Sequence, residues 1–240
     1  MVFSLVSRGK DFSEKVGLQA EVLRILTKGG TTVMKIGLKT SQQLFFTSDT
    51  HAYHKNICQG VSEWGPDQGQ RDFDTLEDMN NALVSGINNV VGAEDILIHL
   101  GDWSFGGKDK VGKFREQLNV KDIHLVLGNH DYNIRKNIGL QNFFTKVSRM
   151  MEVTVMGHSF VLLHFPLLVW EGISRGVINL HGHLHSRPEK RLGKGKQLDV
   201  GVDSNELKPY NVEEIIDLMK NRPINCFLAD DYPLKERTVS

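Results

Sequence analysis

From Leu44 onward the chain repeats one pattern, a short apolar run that stops abruptly in Asp, His, Asn or Gly. Leu44-Phe45-Phe46 leads into Ser48-Asp49-Thr50-His51, and Ile96-Leu97-Ile98 leads into Gly101-Asp102. Ile123 to Leu127 ends in Gly128-Asn129-His130-Asp131, and Phe160 to Leu163 ends in His164. Val177 to Leu180 ends in His181-Gly182-His183-Leu184-His185. Runs this short, bounded by glycine and polar residues, predict buried strands. Between them lie stretches of helical spacing. Asp74 and Glu77 resemble a capping box for Leu76, Met79, Leu83, Val84, Ile87, Val90 and Val91. Asp109 to Leu118 is a second helix, and Asn211 caps a third carrying Val212, Ile215, Ile216, Leu218 and Met219. Strands alternating with helices predict an α/β fold with covered sheet faces. Met151 to Leu163, broken at Gly157, predicts a hairpin instead, so the sheet should be mixed.

Residues 1–43 follow a different pattern. Ser13 can cap a helix through Val16, Ala20, Leu23 and Leu26 that Gly29-Gly30 would stop, and Thr31 to Lys39 reads as a strand. Nothing there suggests chemistry. Residues 1–43 are therefore expected to be an extension that serves packing or a partner contact, and 44–240 one catalytic domain.

Composition narrows the class. Lys plus Arg and Asp plus Glu each number 29 in 240 residues, a net charge of zero. That argues against a dedicated nucleic-acid binder, and nucleic-acid ends are not indicated as partners, but one pocket can still hold a small charged substrate. Cys58 and Cys226 stand alone without a C-x-x-C pair, as expected in a reducing compartment. Met1 to Lys10 lacks the apolar core of a secretion signal. The longest apolar stretch, Phe160 to Trp170, is interrupted by His164 and Pro166 and falls far short of the ~20 residues that span a bilayer. A soluble, cytoplasmic protein with no membrane partner is the expectation.

The chemistry sits where the apolar runs end. In open α/β sheets, ligands bind outside the carboxyl ends of the strands, and five segments here put metal-competent side chains at that place. Singly, Asp49-x-His51 or Gly101-Asp102 would be ordinary turn sequence. Together the segments offer Asp49, His51, Asp102, Asn129, His164, His183 and His185. Oxygen and nitrogen donors without thiolate suit two divalent ions, Mn2+ foremost with Fe, Ni or Zn as alternatives. Seven ligands exceed what one open catalytic ion accepts; they suit two ions about 3.5–4 Å apart, bridged by one carboxylate.

In this order, Asp49-x-His51, Gly101-Asp102, Gly128-Asn129-His130-Asp131, His164 and Gly182-His183-x-His185 resemble the calcineurin-like metallophosphoesterase superfamily. The likeness covers residues 44–186, and Val200-Gly201-Val202-Asp203 extends it toward small bacterial and phage members. The resemblance implies a four-layer α/β/β/α sandwich of two mixed sheets. It implies that Asp49, His51 and His185 hold one ion and Asn129, His164 and His183 the other, with Asp102 bridging. A water shared by two such ions is a nucleophile at neutral pH. His130 is left over as the candidate general acid for the leaving oxygen, or as a cation stabilising the phosphoryl group. Asp131 would orient its loop or serve a structural turn.

Other residues have bland readings as strong as their functional ones. His54 and Asn56 suit a substrate contact or a loop hydrogen bond. Trp103 and Phe105 suit an apolar wall for a leaving group or a core anchor. Arg187 opens a segment to Lys196 with five basic residues and one acidic, a solvated hairpin or a phosphate-attracting rim. His99 and His124 read as core, His158 as solvated, and His181 as support for a ligand. Gln59 to Arg71 reads as a long loop that shapes substrate choice.

The superfamily's phosphoprotein phosphatases extend the second motif as G-D-x-V-D-R-G. Here Gly101-Asp102 continues as Trp103-Ser104-Phe105-Gly106-Gly107, without the second acid or the phosphate-gripping arginine. The expected activity is therefore hydrolysis of a small or nucleotide-like phosphodiester. A phosphomonoesterase is the nearest alternative, and a non-catalytic scaffold subunit a more distant one.

Overall fold

The computed structural model describes residues 31–59 and 71–224. The helix expected after Ser13, Cys226 and all but the ends of the Gln59–Arg71 loop lie outside them. Two mixed sheets are stacked face to face. The first has the order β1 (Thr31–Lys35), β6 (Met150–Val155), β7 (His158–Leu163), β8 (Ile178–His181) and β9 (Gln197–Asp199). The second has the order β10 (Tyr210–Asn211), β2 (Leu44–Thr47), β3 (Ile96–His99), β4 (Asp122–Val126) and β5 (Lys146–Ser148). In the first, only β6 and β7 run antiparallel, as the hairpin turning at Gly157 requires. In the second, β10 alone opposes its neighbour. The strand expected at Thr31 ends at Lys35 and pairs in parallel with β6, forming one edge of the first sheet.

Alternation along each strand divides the core in two. Leu44, Phe46, Ile98 and Val126 face the first sheet's Val153, Phe160, Leu162 and Leu180, with the Phe46 and Phe160 rings 5.6 Å apart. Helix α6 (Val212–Lys220) adds Val212, Ile215 and Met219 to this layer. Phe45, Leu97, Ile123 and Leu125 point the other way, under helices α2 (Leu76–Asn88) and α3 (Lys108–Arg115). Both faces of the second sheet are therefore dry, which is why its strands read as unbroken apolar runs. Each large side chain so buried contributes roughly 1.5–3 kcal/mol.

Asn211 caps α6, as expected, and Glu214 completes a capping box with it. At α2 the cap is Thr75, which accepts from the Asp78 amide, one residue later than the Asp74–Glu77 pattern predicts. The helix predicted over Asp109–Leu118 spans Lys108–Arg115.

Parallel pairing in register carries the strand ends to one edge. Thr47 lies opposite His99, and Leu162 opposite Leu180. A bridge from Ser48 to Gly201 ties the two sheets together at that edge. The polar clusters thus arrive at one place because their strands stop at one level.

Candidate metal centre

The loops leaving the strands turn sharply. Asp49, His51, Asp102, His183 and His185 all have left-handed backbone, with φ of 57°, 44°, 57°, 70° and 49°. Such conformations are sparse outside glycine, cost about 1–3 kcal/mol each, and gather at functional sites. Glycine makes the crowding possible at two points. A Cβ on Gly128 would lie 2.2 Å from Asp102 Oδ1, and one on Gly182 would lie 2.2 Å from Asp49 Oδ2.

Two groups of donors result. Asp49, His51 and His185 bring ligand atoms within 4.8 Å of one another, and so do Asp102, His164 and His183. Asp102 stands between them. Its Oδ2 lies 3.3 Å from His51 Nε2 and 3.3 Å from His164 Nε2, while Oδ1 accepts from the His130 amide at 2.8 Å. Asn129 Oδ1 lies 2.9 Å from His164 Nε2 and so joins the second group. His164 Nδ1 faces the Leu100 carbonyl at 2.8 Å, which turns Nε2 toward the centre.

The donors carry the marks of a cation site. Asp49 Oδ1 and both ring nitrogens of His51 are buried without a hydrogen-bond partner, a costly state for a protein interior. Burial pushes the His51 and His183 imidazoles down to about 3, leaving neutral rings with lone pairs free. Burial pushes Asp49 up to about 6. At Asp102 burial acts to raise the carboxyl, but the neighbouring His164 and His51 hold it well below the usual range. At His164 burial acts to lower the imidazole, but the Asp102 carboxylate outweighs it and lifts it to about 10. Neutral imidazoles, carboxylates and orphaned acceptors around a shared Asp102 fit two divalent cations.

His130 is exposed at the mouth, its ring 5.3 Å from that of His51 and 5.5 Å from that of Phe105. A cavity of about 160 Å³ opens beside it, lined by Phe105, Gly106, Gly107 and Asn133. His54 stacks on Phe105 with centroids 3.9 Å apart, so these two rings form one wall of the mouth. Asn56 is exposed on the short helix α1 (Lys55–Cys58), and Arg187 is exposed two residues after His185.

Trp103 is not part of that wall. It is fully buried, packs against Phe114 and Phe144, and donates its indole N–H to the Val111 carbonyl. The left-handed turn at Asp102 sends residue 103 into the core and leaves Phe105 at the mouth. Asp131 is equally structural in its contacts. Its buried carboxylate accepts from the amides of Gly128, Asp102 and Trp103, stitching two ligand loops together.

Two residues given no role from sequence touch the centre. Asp203 Oδ2 lies 2.7 Å from His185 Nδ1, and Arg71 donates both to Asp203 and to the Asp49 and Thr50 carbonyls. Asp203 could have been found, because it closes the Val200-Gly201-Val202-Asp203 stretch that follows the last histidine pair. No local pattern marks Arg71, whose carboxylate partner lies 132 residues away.

The sequence matches the calcineurin-like phosphoesterase family over residues 43–233. An uncharacterized protein of Methanocaldococcus jannaschii is 30% identical over 185 residues, which is 75% of this chain and 92% of that one. The gene 66 protein of Mycobacterium phage D29 is 30% identical over 202 residues, 72% of this chain and 95% of its own. A protein of unknown function from Aquifex aeolicus, known by crystal structure, shares the fold with a TM-score of 0.57 at 23% identity. The match covers 74% of this chain and all of that one. With the family match spanning every strand but β1 and every loop of the centre, the chain belongs to the calcineurin-like phosphoesterases, metal-dependent hydrolases of phosphoric esters.

Proposed function

We propose that this phosphoesterase hydrolyses a small or nucleotide-like phosphodiester at a dinuclear centre, with Mn2+ as the preferred ion. One observation carries the dinuclear reading: a single oxygen of Asp102 stands 3.3 Å from a histidine of each donor group. Asp49, His51 and His185 would hold one ion, and Asn129, His164 and His183 the other, with Asp102 shared. Divalent ions, when bound, supply charge at the phosphoryl oxygens and lower the pKa of a water.

The chain's own residues complete the reaction. His130 lies at the mouth, close to the donors but outside both groups, where it can protonate the departing ester oxygen. Its amide holds Asp102 Oδ1, so the acid and the shared carboxylate are fixed relative to each other. The His54–Phe105 wall and the adjoining cavity supply a place for the leaving group, which supports a diester with two organic substituents. Asn56 and Arg187 are the candidate polar contacts at the rim.

Hydrolysis of bis-p-nitrophenyl phosphate and p-nitrophenyl phosphate in Mn2+ tests this. The diester should be turned over with the higher kcat/KM, and cyclic nucleotides and dinucleotides should rank above nucleoside monophosphates. A consistent preference for monoesters would overturn the diesterase assignment. Metal uptake without turnover of any phosphoester would point to a scaffold.

A further inference from the structure

We propose that Arg71 and Asp203 are positioning residues that lock His185 and the Asp49–His51 loop into one preorganised metal site. The proposal rests on the dinuclear reading above and assigns to two residues the geometry of one of its halves.

The contacts form a closed frame. Asp203 Oδ2 receives His185 Nδ1 at 2.7 Å, which leaves Nε2 as the lone-pair nitrogen facing Asp49 Oδ1 at 3.8 Å. Arg71 grips the same carboxylate through two nitrogens, Nε on Oδ1 at 2.8 Å and Nη2 on Oδ2 at 3.1 Å. Its remaining donors reach back to the Thr50 carbonyl at 2.8 Å and the Asp49 carbonyl at 2.6 Å. One planar guanidinium therefore spans both loops, a fork that lysine cannot reproduce. Asp49 and His185, the residues it joins, are both in left-handed backbone, which needs external support to persist.

A purely structural ion pair would not look like this. Arg71 and Asp203 are both almost fully buried, and such pairs are poor stabilisers compared with well-packed apolar residues. What the pair gains here is orientation. A carboxylate behind a metal-facing histidine fixes its tautomer and ring direction, and losing that support costs 10–100-fold in metal affinity. Arg71 also neutralises Asp203, so this carboxylate orients the ring without adding net charge to the centre.

Mn2+ titration of EDTA-stripped protein tests the proposal by calorimetry and electron paramagnetic resonance. Wild-type chain should take two ions per chain and show the broad spectrum of an exchange-coupled pair. Asp203→Ala should keep one ion at wild-type affinity and bind the other roughly 10–100-fold more weakly, with the six-line signal of isolated Mn2+. Arg71→Lys, which keeps the charge but not the fork, should shift the same site in the same direction by less. Asp95→Ala removes a buried carboxylate that pins the Gln43 and Gly92 amides away from the centre, and should bind both ions normally.

A folded Asp203→Ala that binds both ions like wild type overturns the proposal, as does equal weakening of both sites. If Asp203→Ala does not fold, Arg71→Lys decides by the same readings. Wild-type chain that takes up fewer than two ions would overturn the dinuclear reading itself, and this proposal with it.

Discussion

Asp102 and His164 show how single residues set the proton balance of the centre. With its imidazole lifted to about 10, His164 carries a proton at neutral pH, and that proton sits beside Asp102 where a cation would otherwise lie. On the proposed assignment, a divalent ion taking Nε2 as a ligand would have to displace it. The sign follows: the metal-free form holds the proton below about pH 10 and the loaded form does not, so affinity rises with pH. Between pH 7 and 9, Mn2+ affinity should climb by at least roughly tenfold per pH unit for the His164 proton displaced. Burial acts to lower His185, but Asp203 and Asp49 hold it above its ordinary value, so any proton it carries adds to the rise. Below about pH 6 Asp49 takes up a proton too, and the slope should steepen. His51 and His183, pushed down to about 3, are already neutral and add nothing. Calorimetry in buffers of different ionisation enthalpy would count the protons, and a flat profile would contradict the assignment. His130 makes a separate prediction, because it lies outside both donor groups. His130→Ala should keep wild-type metal content and lower kcat by roughly 10²–10⁴-fold for a poor leaving group. For p-nitrophenolate, which needs no proton to depart, the loss should be much smaller. Equal losses with both leaving groups would rule out the acid role.

The elements explain why the centre could be read from sequence, and where it could not. Five strands stop at one edge, and each stops in residues that can bind a cation. Parallel pairing aligns Asp49, Asp102 and Asn129 in one sheet and His164 and His183 in the other. The stacking of the sheets, tied at Ser48 and Gly201, brings the two sets together. The β6–β7 hairpin was legible from the apolar run broken at Gly157, and the start of α6 from its cap Asn211. Trp103 was not legible, because side-chain direction after Asp102 depends on a left-handed residue that alternation does not foresee. Arg71 was not legible either, since its role is defined by contacts with Asp203 and with backbone carbonyls that no local spacing encodes. The loops tolerate little change in volume. A methyl group at Gly128 would meet Asp102 Oδ1 at 2.2 Å and the Asp102 amide nitrogen at 2.6 Å, and the backbone atom cannot swing aside. Gly128→Ala should therefore destabilise by about 1–3 kcal/mol and also displace the shared carboxylate. Thermal melting together with metal analysis checks this: the midpoint should fall and bound Mn2+ should drop below two per chain. Retention of both ions in Gly128→Ala would mean that the Asp102 loop can shift without losing its ligand geometry.

At the scale of the whole molecule, fold and centre draw on different forces. The layer between the sheets and the layer under α2 and α3 are built from aliphatic and aromatic side chains, and neither needs a cation to form. The centre occupies the edge where both layers end, and there the balance reverses: strained loops, orphaned donors and carboxylates are gathered without apolar compensation. Stripping the ions should thus leave the fold intact while lowering its stability. An ion at about a hundred times its dissociation constant adds about 2.7 kcal/mol per site. For a chain of this size each kcal/mol moves the melting midpoint by roughly 2–4 °C. Far-UV circular dichroism of EDTA-treated protein should match that of the loaded form, and saturating Mn2+ should raise Tm by roughly 5–10 °C for each occupied site. Collapse of the far-UV signal on stripping would mean that the cations hold the sheets together. An unchanged Tm would mean that the donor groups do not bind the ion tightly enough to matter. Either result would break the division of labour between a dry interior that folds alone and an edge that is completed only by its metals.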